Sequence, residues 1–108
     1  MTELETIRLF KCLADKSRIQ ILKSLAMEDM YVELLAERLG LTAPTISFHL
    51  KKLSEIGAVT SYKSQYYTMY SVCRDKFDIK ILDIITAQSD EVDVQDEREA
   101  EYRQKVLD

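Results

Sequence analysis

Residues 42–57, TAPTISFHLKKLSEIG, constrain this 108-residue chain more than any other stretch. Ile46, Leu50, Leu53 and Ile56 recur at the spacing of one helical face, the pattern of a helix docked on a small core. Thr42 stands where an N-cap belongs, Pro44 is tolerated in the first turn, and Gly57 supplies the left-handed residue that ends many helices. Pro44, Phe48, Lys51 and Glu55 lie opposite the apolar stripe, with Thr45, Ser47 and Lys52 on its flanks. An aromatic ring at the middle of a short helix's outer face needs something outside the helix to meet. Taken alone, the stretch is equally an ordinary amphipathic helix with a solvated face.

What precedes it breaks the tie. In YVELLAERL, residues 31–39, Val32, Leu35, Ala36 and Leu39 share one face, and Gly40 and Leu41 lead into Thr42. A helix, a short turn containing Gly and a second helix with a polar outer face make a helix-turn-helix, whose second helix lies in the major groove of DNA. On that reading Thr42, Ala43 and Pro44 open the recognition helix, Thr45, Ser47 and Phe48 meet base edges, and Lys51, Lys52 and the later Lys63 meet phosphates. His49 lies about 60° from the apolar stripe, a position that suits packing or a phosphate contact.

The rest of the chain fits around this pair. Residues 2–14 have Leu4, Ile7, Phe10 or Lys11, and Ala14 at helical spacing, with Leu9 and Leu13 as a second apolar edge, so the helix is central or a subunit contact. Residues 15–27 begin at a cap, Asp15 or Ser17, and carry Ile19, Leu22, Leu25 and Ala26 inward with Arg18 on the rim. After Gly57 the sequence turns β-branched and aromatic: 58–62 and 67–72 read as strands of a hairpin, the wing, joined by Lys63, Ser64, Gln65 and Tyr66. Without Gly or Asn in the connection, a loop longer than two residues is expected. Residues 75–88 carry Phe77, Ile81, Ile84 and Ile85 on one helical face and Ile79 and Leu82 on another, more apolar surface than one small domain covers. A dimer interface of Leu4, Ile7, Phe77, Ile81, Leu82, Ile84 and Ile85 follows. Residues 97–106 suggest a solvated helix in which Glu99 and Arg103 support each other four residues apart.

The expected architecture is α+β, mostly α: a winged helix-turn-helix of about five helices and a two-stranded hairpin over residues 1–88, then an acidic extension or linker over 89–108. A chain this short gains from a second copy, so a homodimer is expected. The net charge of −4 is unevenly spread: residues 41–74 hold four basic residues and one acidic, whereas residues 75–108 hold five basic and eleven acidic. The proposed DNA face is therefore mildly basic, and affinity should depend on two subunits binding together. No apolar run approaches the roughly 18 residues of a membrane span and no signal-peptide pattern opens the chain, which points to a cytoplasmic protein without membrane contact. Cys12 and Cys73 read as small apolar residues, with a redox pair as the alternative.

Three phrases in order resemble the ArsR/SmtB family of winged-helix repressors over roughly residues 9–88: LFKCLADKSRIQILKSL, LAERLGLTAPTISFHLKKLSEIGAV and YYTMYSV. The resemblance implies a homodimer joined through its first and last helices, an inverted-repeat operator and release by an inducer. It also exposes departures. Where the family's metal sensors often carry Cys-Val-Cys, this chain has Tyr31, Val32 and Glu33; at the other common site Asp78 remains but Lys80 replaces a His. His49 is the only histidine, so two-histidine sites are excluded, and neither a metal nor another cofactor is expected. An Arg often holds the place of Phe48, and a Gln and a Ser those of Ala43 and Pro44, which shifts recognition toward thymine methyls. Gln65 and Tyr66 replace the usual Gly and basic residue of the wing, which weakens a minor-groove role.

The function expected is thus a repressor that binds a double-stranded operator and lacks the usual metal ligands, its inducer unidentified. A thiol-switched repressor using Cys12 and Cys73, or a winged helix that binds protein through Phe48 and the hairpin tyrosines, are the alternatives. An enzyme is not expected: the chain has one His, no Gly-rich phosphate loop and no nucleophile beside a base.

Overall fold

The computed structural model describes residues 2–76 and 96–107. Helices α1 (Glu3–Leu13), α2 (Lys16–Met27), α3 (Val32–Leu39) and α4 (Ala43–Glu55) are followed by strands β1 (Val59–Ser64) and β2 (Tyr67–Val72), a 3-10 turn (Arg74–Lys76) and helix α5 (Asp96–Leu107). The strands form an antiparallel hairpin in register from Val59 opposite Val72 to Ser64 opposite Tyr67. This is the winged helix-turn-helix expected from the sequence. No helix among the described residues is long and apolar enough to cross a membrane.

Local chemistry sets the ends of the helices. Thr2 and Glu5 form a capping box on α1, the Asp15 carboxylate accepts from the Arg18 amide at 3.0 Å, and the Thr42 hydroxyl accepts from the Thr45 amide at 3.3 Å. Gly40 (φ +66°) and Gly57 (φ +74°) take the left-handed conformation that lets the chain turn back after α3 and α4. Each turn is closed by a Schellman bond, Leu41 N–H to the Ala36 carbonyl at 3.0 Å and Ala58 N–H to the Leu53 carbonyl at 2.9 Å.

The stripe of α4 closes the core: Ile46, Leu50 and Leu53 are buried against Ile21, Leu22 and Leu25 of α2 and Leu34 and Leu35 of α3, while Ile56 is half-buried. Each fully buried aliphatic side chain contributes about 1.5–3 kcal/mol. In α1 the two candidate edges separate. Leu9, Cys12 and Leu13 enter the core, whereas Leu4, Ile7 and Phe10 stay 55, 42 and 57 % exposed.

Several expectations need correction. The hairpin turns on only two residues, Gln65 and Tyr66, because the pairing continues to Ser64 and Tyr67; Gln65 takes φ +56° in place of the Gly or Asn such a turn favours. Tyr31 does not begin α3 as a helical residue. It is the extended N-cap, and its ring is buried. Met30 just before it exchanges both backbone hydrogen bonds with Tyr70, at 3.2 and 2.7 Å, so the α2–α3 connection adds a short third edge to the wing. Helix α5 is not solvated: it packs on α3 and inserts Glu99, which is fully buried, beside Arg38. Arg38 Nε donates to Glu99 at 2.5 Å, Arg103 pairs with Glu28 of α2, and the Tyr31 hydroxyl donates to the Tyr102 carbonyl at 2.6 Å. Glu99 and Arg103 therefore face different helices rather than each other. Of the predicted 75–88 helix, only the opening 3-10 turn falls among the described residues.

Candidate nucleic-acid interface

The α3–Gly40–Leu41–α4 unit presents the outer side of α4 because the inner side is consumed by the core. Along that outer side Thr42, Pro44, Ser47, Phe48 and Lys51 are exposed, and Ala43, Thr45 and Lys52 are half-exposed. Eight of the ten residues expected at the interface thus line one helix face. The ninth, Lys63, is exposed on β1 and donates to the Thr68 hydroxyl across the hairpin at 2.7 Å. The Thr42 hydroxyl donates to that of Thr45 at 2.9 Å, so the two act together as a hydroxyl pair at the start of the helix.

His49, the tenth, lies beneath this surface, 9 % exposed. Its Nδ1 accepts a hydrogen bond from Arg18 Nε at 3.2 Å, and its ring meets Phe48 edge to face with centroids 5.6 Å apart. Of the two roles open to it in the sequence, packing and phosphate contact, this geometry describes packing.

Phe48 is 52 % exposed at the middle of the face. Two cations flank its ring, Lys52 Nζ at 5.6 Å and Arg18 Cζ at 6.0 Å from the centroid. Each such contact at an exposed site is worth about 0.5–1 kcal/mol. The ring thereby gathers positive charge around an apolar centre, an arrangement that offers a methyl-sized contact with phosphate-seeking groups beside it.

Sequence periodicity missed Arg18. Placed on the rim of α2 by spacing alone, it is half-buried and reaches three elements: Nη1 donates to the Cys12 carbonyl at 3.1 Å and to the Cys12 sulfur at 3.7 Å, and Nε donates to His49. The only local signal was the Asp15 cap, which fixes where α2 starts and hence where Arg18 points. At the wing, Tyr66 is 95 % exposed on the turn, and Tyr62 donates to Asp29 at 2.6 Å, a carboxylate bond that holds its phenol above the ordinary value. Of the expected dimer residues, Leu4 and Ile7 are exposed on α1; Phe77, Ile81, Leu82, Ile84 and Ile85 lie outside the described residues.

Comparison with known proteins meets this geometry at the same place. Residues 15–61, from the α2 cap to β1, match the family described as bacterial regulatory protein, arsR family. The HTH-type transcriptional regulator KmtR of Mycobacterium tuberculosis is 49 % identical over 47 residues, a match that spans 44 % of this chain but only 36 % of KmtR. Reduced HlyU from Vibrio cholerae superposes with a TM-score of 0.66 at 26 % identity, over 78 % of this chain and 84 % of its own. The homodimeric winged helix-turn-helix DNA-binding domain of Mb0332 from Mycobacterium bovis, a possible ArsR-family regulator, gives 0.68 at 26 % identity over 77 and 76 %. These relatives are transcriptional regulators rather than enzymes. This chain, with an ArsR-family domain at its centre and a winged helix-turn-helix around it, is of the ArsR type of bacterial transcriptional regulator.

Proposed function

We propose that the protein is a repressor that binds an inverted-repeat operator as a homodimer and does so without a transition-metal ligand set. Thr42, Ala43, Pro44, Thr45, Ser47 and Phe48 face the bases; Lys51, Lys52 and Lys63 hold phosphates. The observation that carries the reading is the half-exposed Phe48 ring between Lys52 and Arg18, an apolar contact ringed by cations on the one face of α4 that the core leaves free. Dimerisation is supported by the apolar edge of Leu4, Ile7 and Phe10 on α1, and by the homodimeric state of the Mb0332 domain. Two recognition helices then supply the phosphate contacts that one mildly basic protomer lacks.

The test is selection of bound fragments from genomic DNA followed by gel shift. Phe48→Ala should weaken operator binding by about tenfold, the loss of one well-placed base contact. Lys51→Ala should lower the salt dependence by about one phosphate. Operator affinity unchanged in both variants would refute the assignment of this face.

A further inference from the structure

Arg18 is the one side chain that ties the recognition helix to both preceding helices. Its guanidinium sends Nη1 to the carbonyl and sulfur of Cys12 at the end of α1 and Nε to His49 on α4, while its own backbone amide is held by Asp15 at the start of α2. A guanidinium nitrogen can only donate, so Nδ1 of His49 must present a lone pair, and the proton of the neutral ring sits on Nε2. One arginine therefore sets the helix's position and the imidazole's tautomer together. The ring so fixed lies edge-on to Phe48, the side chain at the centre of the DNA face.

We propose that Arg18 is a positioning residue for operator recognition: it clamps α4 through His49 so that Phe48 and the lysines are presented in register, and it does so without itself holding a phosphate. This rests on the DNA-binding reading above. The charged and titratable groups around the pair are Cys12 from α1, Asp15 at the head of α2 and Lys52 beyond Phe48 on α4. Lysine cannot replace the arginine, because one ammonium on a flexible stem cannot span acceptors on two helices in a fixed plane.

The experiment compares the full chain with Arg18→Ala, Arg18→Lys, His49→Ala and the Arg18→Ala/His49→Ala pair. In the unaltered protein at neutral pH, the imidazole 15N shifts should report a proton on Nε2 and none on Nδ1; a ring protonated on Nδ1 would overturn the proposal without any variant being made. Arg18→Ala should weaken operator binding by about ten- to a hundredfold, the loss of hydrogen bonds made by a charged donor. It should leave the slope of log affinity against log salt unchanged, whereas Lys51→Ala lowers that slope by about 0.9. Arg18→Lys should not restore affinity, and the pair should be no weaker than the worse single variant. A salt slope lowered by a full phosphate contact would make Arg18 a direct DNA ligand, and additive losses would separate it from His49; either overturns the proposal. Should the unaltered protein bind no DNA, the operator reading fails while positioning is still decided. The tautomer, and faster amide exchange across α4 in Arg18→Ala than in the parent, would then support it, and equal exchange would sink it.

Discussion

Glu99→Ala is the sharpest test of how α5 is held. The Arg38 side chain is 4 % exposed and Glu99 is fully buried; their bond is 2.5 Å long, and Arg38 Nη2 reaches Glu28 at 3.3 Å. Removing Glu99 leaves a buried guanidinium with one remaining carboxylate, a loss of about 3–5 kcal/mol if α5 stays where it is. The helix has an escape, since undocking lets water reach Arg38, and the cost cannot exceed what docking contributes. Docking rests on the half-buried Tyr102 and Val106, the Tyr31 hydroxyl bond and the outer pairs Arg98–Glu37 and Arg103–Glu28. Partial burial of two apolar side chains, one neutral hydrogen bond and two surface pairs total about 3–4 kcal/mol before the ordering of the helix is subtracted. The expected loss is therefore about 2–3 kcal/mol, or about 10–20 °C in melting temperature. Urea unfolding at one fixed protein concentration measures it, since association would otherwise shift the midpoint. Joint replacement, Arg38→Met with Glu99→Leu, should be nearly neutral, because both charges leave together. A Glu99→Ala loss larger than that from deleting residues 96–108, or one below about 0.5 kcal/mol, would refute the reasoning.

Burial, and then the neighbouring Tyr67, Glu33 and Tyr102, push the Tyr31 phenol well above its ordinary value. A folded value raised above the unfolded one means that this stability is fully present below about pH 10 and is lost as pH rises beyond it; Tyr31→Phe should start about 1 kcal/mol less stable and show a shallower alkaline decline in pH-resolved unfolding. An equally steep decline would remove Tyr31 as its source. Gly40→Ala finds open space for its Cβ but keeps φ at +66°, so backbone strain alone should cost about 1–2 kcal/mol in thermal unfolding. An unchanged midpoint would mean that the turn does not need the left-handed residue. Ile7→Glu, on the exposed edge of α1, should leave the protomer folded but shift sedimentation toward the monomer; a dimer that survives intact would exclude that edge as the contact.

Local rules made much of this molecule legible in advance. The period of Ile46, Leu50 and Leu53, the caps at Asp15 and Thr42, and the glycines at 40 and 57 are short-range properties, set by side chains and backbone angles within a turn or two. They were enough to place α2, α4 and the outward Phe48. Where two local preferences competed, the sequence left the matter open: the Leu4–Ile7 and Leu9–Leu13 edges of α1 are both apolar, and only the shape of the core selects the second. The two-residue wing turn went unread because cross-strand pairing out to Ser64 and Tyr67 outweighs the strain at Gln65. Arg18 with His49, separated by 31 residues, and Arg38 with Glu99, separated by 61, are pairs that no helical period encodes. Burying these ionic and polar groups is tolerable only when a distant chain segment brings the matching partner. That meeting is a property of the folded packing, and it is where this protein's sequence, read alone, assigned Arg18 to a rim and Glu99 to solvent.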